Sequence, residues 1–358
     1  MIRLDNRRRV FRLIDEAIER LELKLSGLRV LTEAASGAFI VTALTAARAG
    51  ADRVHAITRD SAHGAAAEVI EYGREWAEAL GVADRIHFTI GPPADFAHQS
   101  DIVTNLGFVR PIDRSLVGRL PTHAVVSLMW EPWEFRPQDV DLDACAGAGI
   151  AVIGTRETDP RLRIFDYVGL VAVKLVLESG LEVFRSRVLV LGSDPFGQEV
   201  QAKLTALGAD VERVLLDEPG TNLDSIVGSR VERADALVLA EHRDRRELIG
   251  HAGGIRPERF LAGGCRVVHV AGHVDDGALE RLNVIKHPPR RVAPGYMAAV
   301  TDYAGPRPVI DLHTAGLAVG ALAVRCRLAG GSQIDAIAAA EASGLGLRFV
   351  PALADARR

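Results

Sequence analysis

The sequence predicts an α/β protein of two domains, each a doubly wound parallel sheet, with an inter-domain cleft for a ligand. Three observations predict it. The chain has 358 residues, more than one ordinary core needs and enough for two domains that each bury most of their apolar surface. Short apolar runs of strand length alternate with helical segments, the pattern of parallel sheets joined by crossover helices. After one long apolar helix the alternation begins again at Arg187.

Taken in order, Phe11, Ile14, Ile18 and Leu21 stand at helical spacing and mark an amphipathic opening helix, with Arg7, Arg8 and Arg9 on its solvated face. Strands are expected at 29–32, 53–58, 86–90, 101–105, 124–129 and 151–153, followed by a helix over 165–179 that Gly180 stops. The second series has strands at 187–192, 212–216, 236–239, 266–270 and 284–286, with a helix over 198–207 after the first of them. The last apolar segment, 308–328, reads as a helix with Asp311 as its N-cap and His313 in its first turn. The predicted division is residues 1–163, rejoined by 305–358, and residues 164–304.

Composition excludes several classes. Hydrophobic residues are 48% and charged residues 25%, a globular profile rather than a disordered or fibrous one. The net charge of -4 provides no field to gather nucleic acid or anionic lipid, so neither is an expected partner. The apolar stretch 168–177 is broken by Lys174 and falls short of the roughly 20 residues of a bilayer span. The N-terminus lacks the basic, apolar, small-residue order of a signal peptide, and a cytoplasmic location is expected. Cys145, Cys265 and Cys326 have no CxxC spacing, so neither a disulfide framework nor a metal site is implied.

The stretch Gly192-Ser193-Asp194-Pro195-Phe196-Gly197 stands between a buried-strand run and a helix, in the place of a GxGxxG turn. Such a turn uses its first glycine to bend, its middle glycine to let a diphosphate approach the backbone, and its last to pack helix on sheet, while the helix N-terminus offers amides to the phosphates. Here Asp194 replaces the middle glycine, and its carboxylate repels the anion unless it turns away to cap the helix. Asp217, at the end of the next strand, stands where an acid binds a ribose 2′-hydroxyl, a choice favouring NAD over NADP.

Four stretches together, 139–155, 187–211, 234–240 with 247–250 after it, and 266–279, resemble the D-2-hydroxyacid dehydrogenase family, which includes phosphoglycerate and formate dehydrogenases. The resemblance implies two Rossmann-like domains with a long helix crossing to the cofactor domain and a C-terminal helix returning, NAD on residues 192–197, a small organic substrate in the cleft, and a homodimer. The sequence departs from the family at its chemistry. The position of the catalytic arginine matches Gly272, followed by His273; the position of the catalytic histidine matches 293–297; and 284–291 carries no counterpart of the catalytic glutamate. Glu131 and His273 are the candidates to handle the proton that accompanies hydride transfer.

The substrate-domain turn departs too, with Met129-Trp130-Glu131-Pro132-Trp133-Glu134 after a buried strand. Flat side chains beside a carboxylate suit a ring-bearing or cationic substrate, or else plug the space between domains. Arg110, Trp130, Arg156 and Glu157 are the substrate-binding candidates; for the 155–159 segment a hinge laced with exposed ion pairs is the other reading.

A second resemblance covers the first third. Residues 29–37, 53–60 and 101–105 are similar to the opening of class I methyltransferases, which would place S-adenosylmethionine on a loop containing Glu33 and Gly37, with Asp60 at the ribose. A generic open sheet explains the same residues. A catalytically inactive ligand-binding homologue is the third reading.

Overall fold

The computed structural model describes residues 1–132, 135–216, 222–294 and 296–349. The chain divides into two compact units, Met1–Arg163 with the described residues from Gly305 onward, and Ile164–Ala304.

The first unit opens with α1 (Arg7–Arg20), β1 (Arg29–Glu33), α2 (Val41–Arg48), β2 (Arg53–Thr58), α3 (Ala66–Leu80) and β3 (Ile86–Ile90). It continues through β4 (Ile102–Thr104), α4 (Arg114–Val117), β5 (Val125–Ser127), α5 (Leu142–Gly147) and β6 (Ala151–Thr155). Strands β4, β5 and β6 are buried at every residue, as continuous apolar runs are when helices cover both faces of a parallel sheet. Asp113 and Asp141 start α4 and α5 by accepting the backbone N–H groups of Leu116 and Ala144.

The second unit contains α6 (Ile164–Glu178), β7 (Arg187–Leu191), α7 (Phe196–Ala206), β8 (Asp210–Val214), α8 (Leu223–Val231), β9 (Ala236–Ala240) and β10 (Glu247–Ile249). Then come α9 (Arg259–Gly263), β11 (Arg266–Ala271), β12 (His273–Val274), α10 (Asp276–Arg281) and β13 (Lys286–His287). Its main sheet is parallel throughout, in the order β13, β11, β9, β7, β8, and β10 pairs with β12 in a separate parallel ribbon. Leu189, Leu191, Leu237, Leu239 and Val267 pack there against Val227, Val231 and Phe260 of the helices.

The chain closes on the first unit with α11 (Arg307–Leu328), α12 (Gln333–Ala342) and β14 (Gly346–Arg348). The seven-stranded sheet runs β14, β6, β5, β4, β1, β2, β3, all parallel except β14, which lies antiparallel to β6. Among the described residues α11 alone is long and apolar enough to cross a membrane, and 78% of its apolar window is buried within the protein. It packs on α1, α2 and the β4–β5–β6 face.

Three expectations are corrected. Asp311 does not cap α11: the helix begins at Arg307 after Pro306, and the buried Asp311 carboxylate pairs with Arg20 of α1 at 2.6 Å. His313 is accordingly beyond the first turn, where its Nδ1 meets Thr42 Oγ1 at 2.6 Å and burial pulls its pKa down to about 3. In α1 the buried stripe is Val10, Leu13, Ile14 and Ala17, rotated from the one expected; Phe11 instead meets Trp76 edge to face.

Candidate functional site

In unit 2 the strand order reverses at β7, with β8 on one side and β9, β11 and β13 on the other. The gap between the carboxyl ends of β7 and β9 is thus the topological switch point, where open α/β sheets bind ligands. The Gly192–Gly197 turn rises there. A Cβ on Gly192 would lie 2.4 Å from the Ala240 carbonyl oxygen, and one on Gly197 would lie 2.2 Å from the carbonyl oxygen of Gly192. The first and last glycines of the motif are therefore fixed by contact with β9 and by the return of α7 onto the turn.

The middle of the turn is different. Asp194 does not cap α7, whose N-cap is Pro195 with no side-chain cap; its carboxylate pairs instead with the Arg213 guanidinium of β8. Pro195 has no N–H to offer. Ser193 donates its backbone N–H to Glu241 Oε2 and its hydroxyl to Glu241 Oε1, both at 2.8 Å. The N–H groups of Arg243 and Asp244 donate to the same Oε1 at 2.7 and 2.9 Å. Glu241 directly follows β9 and is 1% exposed, so four donors converge on one buried carboxylate. Beside it, the buried Phe196 ring stacks on His242 with centroids 4.2 Å apart. Asp217 lies outside the described residues.

A dinucleotide fits this turn in shape, since the two glycines stand where close packing requires them and α7 presents its N-terminus. Its diphosphate does not fit in charge while Glu241 holds the Ser193 amide. The residues that would hold the group are the Gly192–Gly197 backbone with that carboxylate withdrawn.

His273 lies elsewhere in the unit, in the β10–β12 ribbon opposite Glu247, where it lines an open hollow of about 440 Å³ with Asp275, Asp276 and Arg291. A Cβ on Gly272, the residue before His273, would lie 2.5 Å from Leu248 Cδ1 and 3.8 Å from Glu241 Cβ. The neighbouring His269 is buried, meets the Gly272 carbonyl through Nε2 at 2.8 Å, and is held neutral by burial, its pKa drawn down to about 4. With a carbonyl as partner, that Nε2 is the donor.

In unit 1 the strand order reverses at β1, between β4 and β2. Glu33, the last residue of β1, is 5% exposed and spans this second switch point to accept the Phe108 backbone N–H at 2.9 Å. Burial drives its pKa up to about 7, against the pull of that N–H and of the Arg110 and Arg59 charges. Arg110 pairs with Asp139 at 2.6 Å and lays its guanidinium over the Trp130 ring, 5.1 Å from the centroid. The aromatic face expected to receive a cationic ligand thus carries a cation of the protein's own.

At the ends of β5 and β6, Glu131 and Glu157 bind each other reciprocally: the N–H of Glu131 donates to the Glu157 carboxylate at 3.2 Å, and the N–H of Glu157 to the Glu131 carboxylate at 3.0 Å. Arg156 donates through Nε to the Gly344 carbonyl at 3.0 Å, and its backbone N–H donates to the Leu345 carbonyl, which ties β6 to the segment before β14. Trp133 and Glu134 lie outside the described residues. Asp60 accepts the Ala66 backbone N–H at the start of α3 at 2.8 Å, and Gly37 begins a single 3₁₀ turn. The structure thus brings Arg110 onto Trp130 and Glu131 onto Glu157, and places the 192–197 turn and His273 in the other unit.

Glu241 and His269 were not singled out in the sequence. The signal for Glu241 was positional: it ends the continuous apolar run 236–240, but its relation to Ser193 requires knowing that β9 lies beside β7.

No family model matches the chain, and no curated protein matches it. Solved structures do. A dipicolinate synthase from Bacillus subtilis is 14% identical with a TM-score of 0.49, over 86% of this chain and 98% of that one. The dipicolinate synthase of Bacillus halodurans is 12% identical with a TM-score of 0.48, over 84% and 98%. The NAD+-bound 3-phosphoglycerate dehydrogenase of Entamoeba histolytica is 11% identical with a TM-score of 0.43, over 85% and 97%. At these identities no residue role is carried over from them.

Proposed function

We propose that the chain is an oxidoreductase of the 2-hydroxyacid dehydrogenase kind, divergent in its catalytic residues, which takes a nicotinamide dinucleotide on unit 2 and a small organic substrate at the carboxyl edge of the unit 1 sheet. The observation that carries this reading is the Gly192–Gly197 turn at the β7–β9 switch point, with both outer glycines set by backbone contacts closer than any side chain permits. When bound, the nicotinamide supplies the hydride acceptor or donor.

The chain's own residues supply position and proton handling. Glu131 accepts the Glu157 N–H and is therefore held as an acceptor, which suits a base that takes the substrate's hydroxyl proton. Arg110, fixed between Asp139 and Trp130, offers a guanidinium to a substrate carboxylate. Glu33, poised near neutral pH by burial, is a second proton carrier at the same edge.

One observation favours another reading, a homologue that binds a ligand without redox chemistry: the Ser193 amide is already held by Glu241. Thermal melting separates the two, because a ligand that binds only the folded state raises the midpoint. NAD or NADH is expected to raise it and S-adenosylmethionine and S-adenosylhomocysteine to leave it unchanged. A rise with the sulfur ligands alone would overturn the oxidoreductase reading, and silence from all four in the presence of a folded protein would favour the non-redox one.

A further inference from the structure

Glu241 is a buried carboxylate whose four partners are neutral: two backbone N–H groups from the loop after β9, and the backbone N–H and hydroxyl of Ser193 after β7. Among the described residues no lysine, arginine or histidine forms an ion pair with it. Converging neutral donors at a strand-to-helix turn are how proteins hold phosphates and other anions, because the donors lose no counter-charge when the anion leaves. A carboxylate in such a place does what an external anion would do: it relieves the amides of an otherwise unsatisfied burial.

We propose that Glu241 is a built-in stand-in for the ligand's anion, and that the β7–β9 switch point binds a diphosphate by exchange, a diphosphate oxygen taking the Ser193 backbone N–H as Glu241 swings out. The inference rests on the reading of unit 2 as a dinucleotide site and adds its regulation. The bound anion competes with a group tethered to the same sheet, so the site stays closed to weak anions and opens for a ligand with further contacts along the turn. Asp194 takes no part in the exchange, since its carboxylate is already drawn to Arg213 on β8.

Calorimetric titration of ADP-ribose and of inorganic pyrophosphate into the full chain and two variants tests this. Glu241→Gln keeps the shape and removes the competing charge; ADP-ribose affinity is expected to rise at least about tenfold, the scale of a charge-assisted hydrogen bond. Ser193→Ala leaves the backbone donor but loosens Glu241 by one bond, and it also is expected to raise the affinity, by a smaller factor. It carries the test if Glu241→Gln fails to fold. Equal affinity in wild type and variants, or a loss in Ser193→Ala, would overturn the exchange while leaving the cofactor reading in place. Absence of binding by all three proteins would overturn both. Pyrophosphate binding to Glu241→Gln as tightly as ADP-ribose would support the exchange and identify a free diphosphate, rather than a nucleotide, as its occupant.

Discussion

Glu131 and Glu157 exchange backbone hydrogen bonds, each carboxylate accepting the other residue's N–H at 3.0–3.2 Å. The pair locks the loop after β5 to the start of the segment after β6, and it brings two carboxylates to one edge of a sheet. Replacing either by Ala leaves one N–H without its acceptor, a loss of about 1–3 kcal/mol. Because either single variant already relieves the repulsion between the like charges, the loss in the double variant is expected to exceed the sum of the single losses. Urea unfolding of the three variants measures the difference; simple additivity would show that the two carboxylates act independently.

Three buried histidines predict acid sensitivity. Burial lowers the pKa of His55 and His269 to about 4 and of His313 to about 3, and among the described residues both ring nitrogens of His55 are without hydrogen-bond partners. The unfolded chain binds protons near pH 6.5 that the folded protein refuses, so their contribution is complete above that pH and declines as pH falls toward 4. The shifts correspond to on the order of 3 kcal/mol at most for His55 and His269 and about 5 kcal/mol for His313. His55→Phe, which also suits the stack on Phe96, is expected to flatten the loss of stability between pH 6.5 and 4, followed by chemical unfolding at stepped pH. An unchanged slope would remove His55 from the account.

Glu33 titrates with the opposite sign. Its folded pKa is raised from 4.5 to about 7, so the folded state binds the extra proton, and stability falls as pH rises through this interval. Glu33→Gln keeps an acceptor for the Phe108 N–H and removes the charge, and it is expected to be more stable than wild type at pH 8 by up to about 3 kcal/mol and equal to it near pH 4. Melting at the two pH values checks this; a variant destabilised equally at both would mean that the ionised carboxylate is the form the fold requires.

Asp194 is the residue that most disturbs the glycine motif on paper, yet its side chain is 55% exposed and turned to Arg213. Asp194→Asn is expected to change stability by less than about 1 kcal/mol and ADP-ribose affinity by less than about fivefold. A large gain in affinity would return the obstruction from Glu241 to Asp194.

What the sequence disclosed depended on how far each cause lies along the chain. The strands at 53–58 and 86–90 are legible because their apolar runs are local. The three-residue or shorter strands β10, β12 and β14 carry no period long enough to read, and α12 is built on a capping box, Ser332 with Asp335, rather than on an apolar stripe. Asp311 looks like a cap in sequence and is a buried ion-pair partner because Arg20 comes from the other end of the chain. The glycine turn was visible for the same local reason as the strands. The carboxylate that holds it was not, since Glu241 is 48 residues from Ser193 and only the strand order brings them together.

The proposed function requires that the β7–β9 switch point accept a nicotinamide dinucleotide. Fluorescence titration of NADH tests it most directly, with wild type, Glu241→Gln, and Gly197→Val, whose side chain would strike the Gly192 carbonyl. A saturable signal that ADP-ribose competes away is expected, stronger in Glu241→Gln and lost in a folded Gly197→Val. No saturable NADH signal in wild type or Glu241→Gln would contradict it.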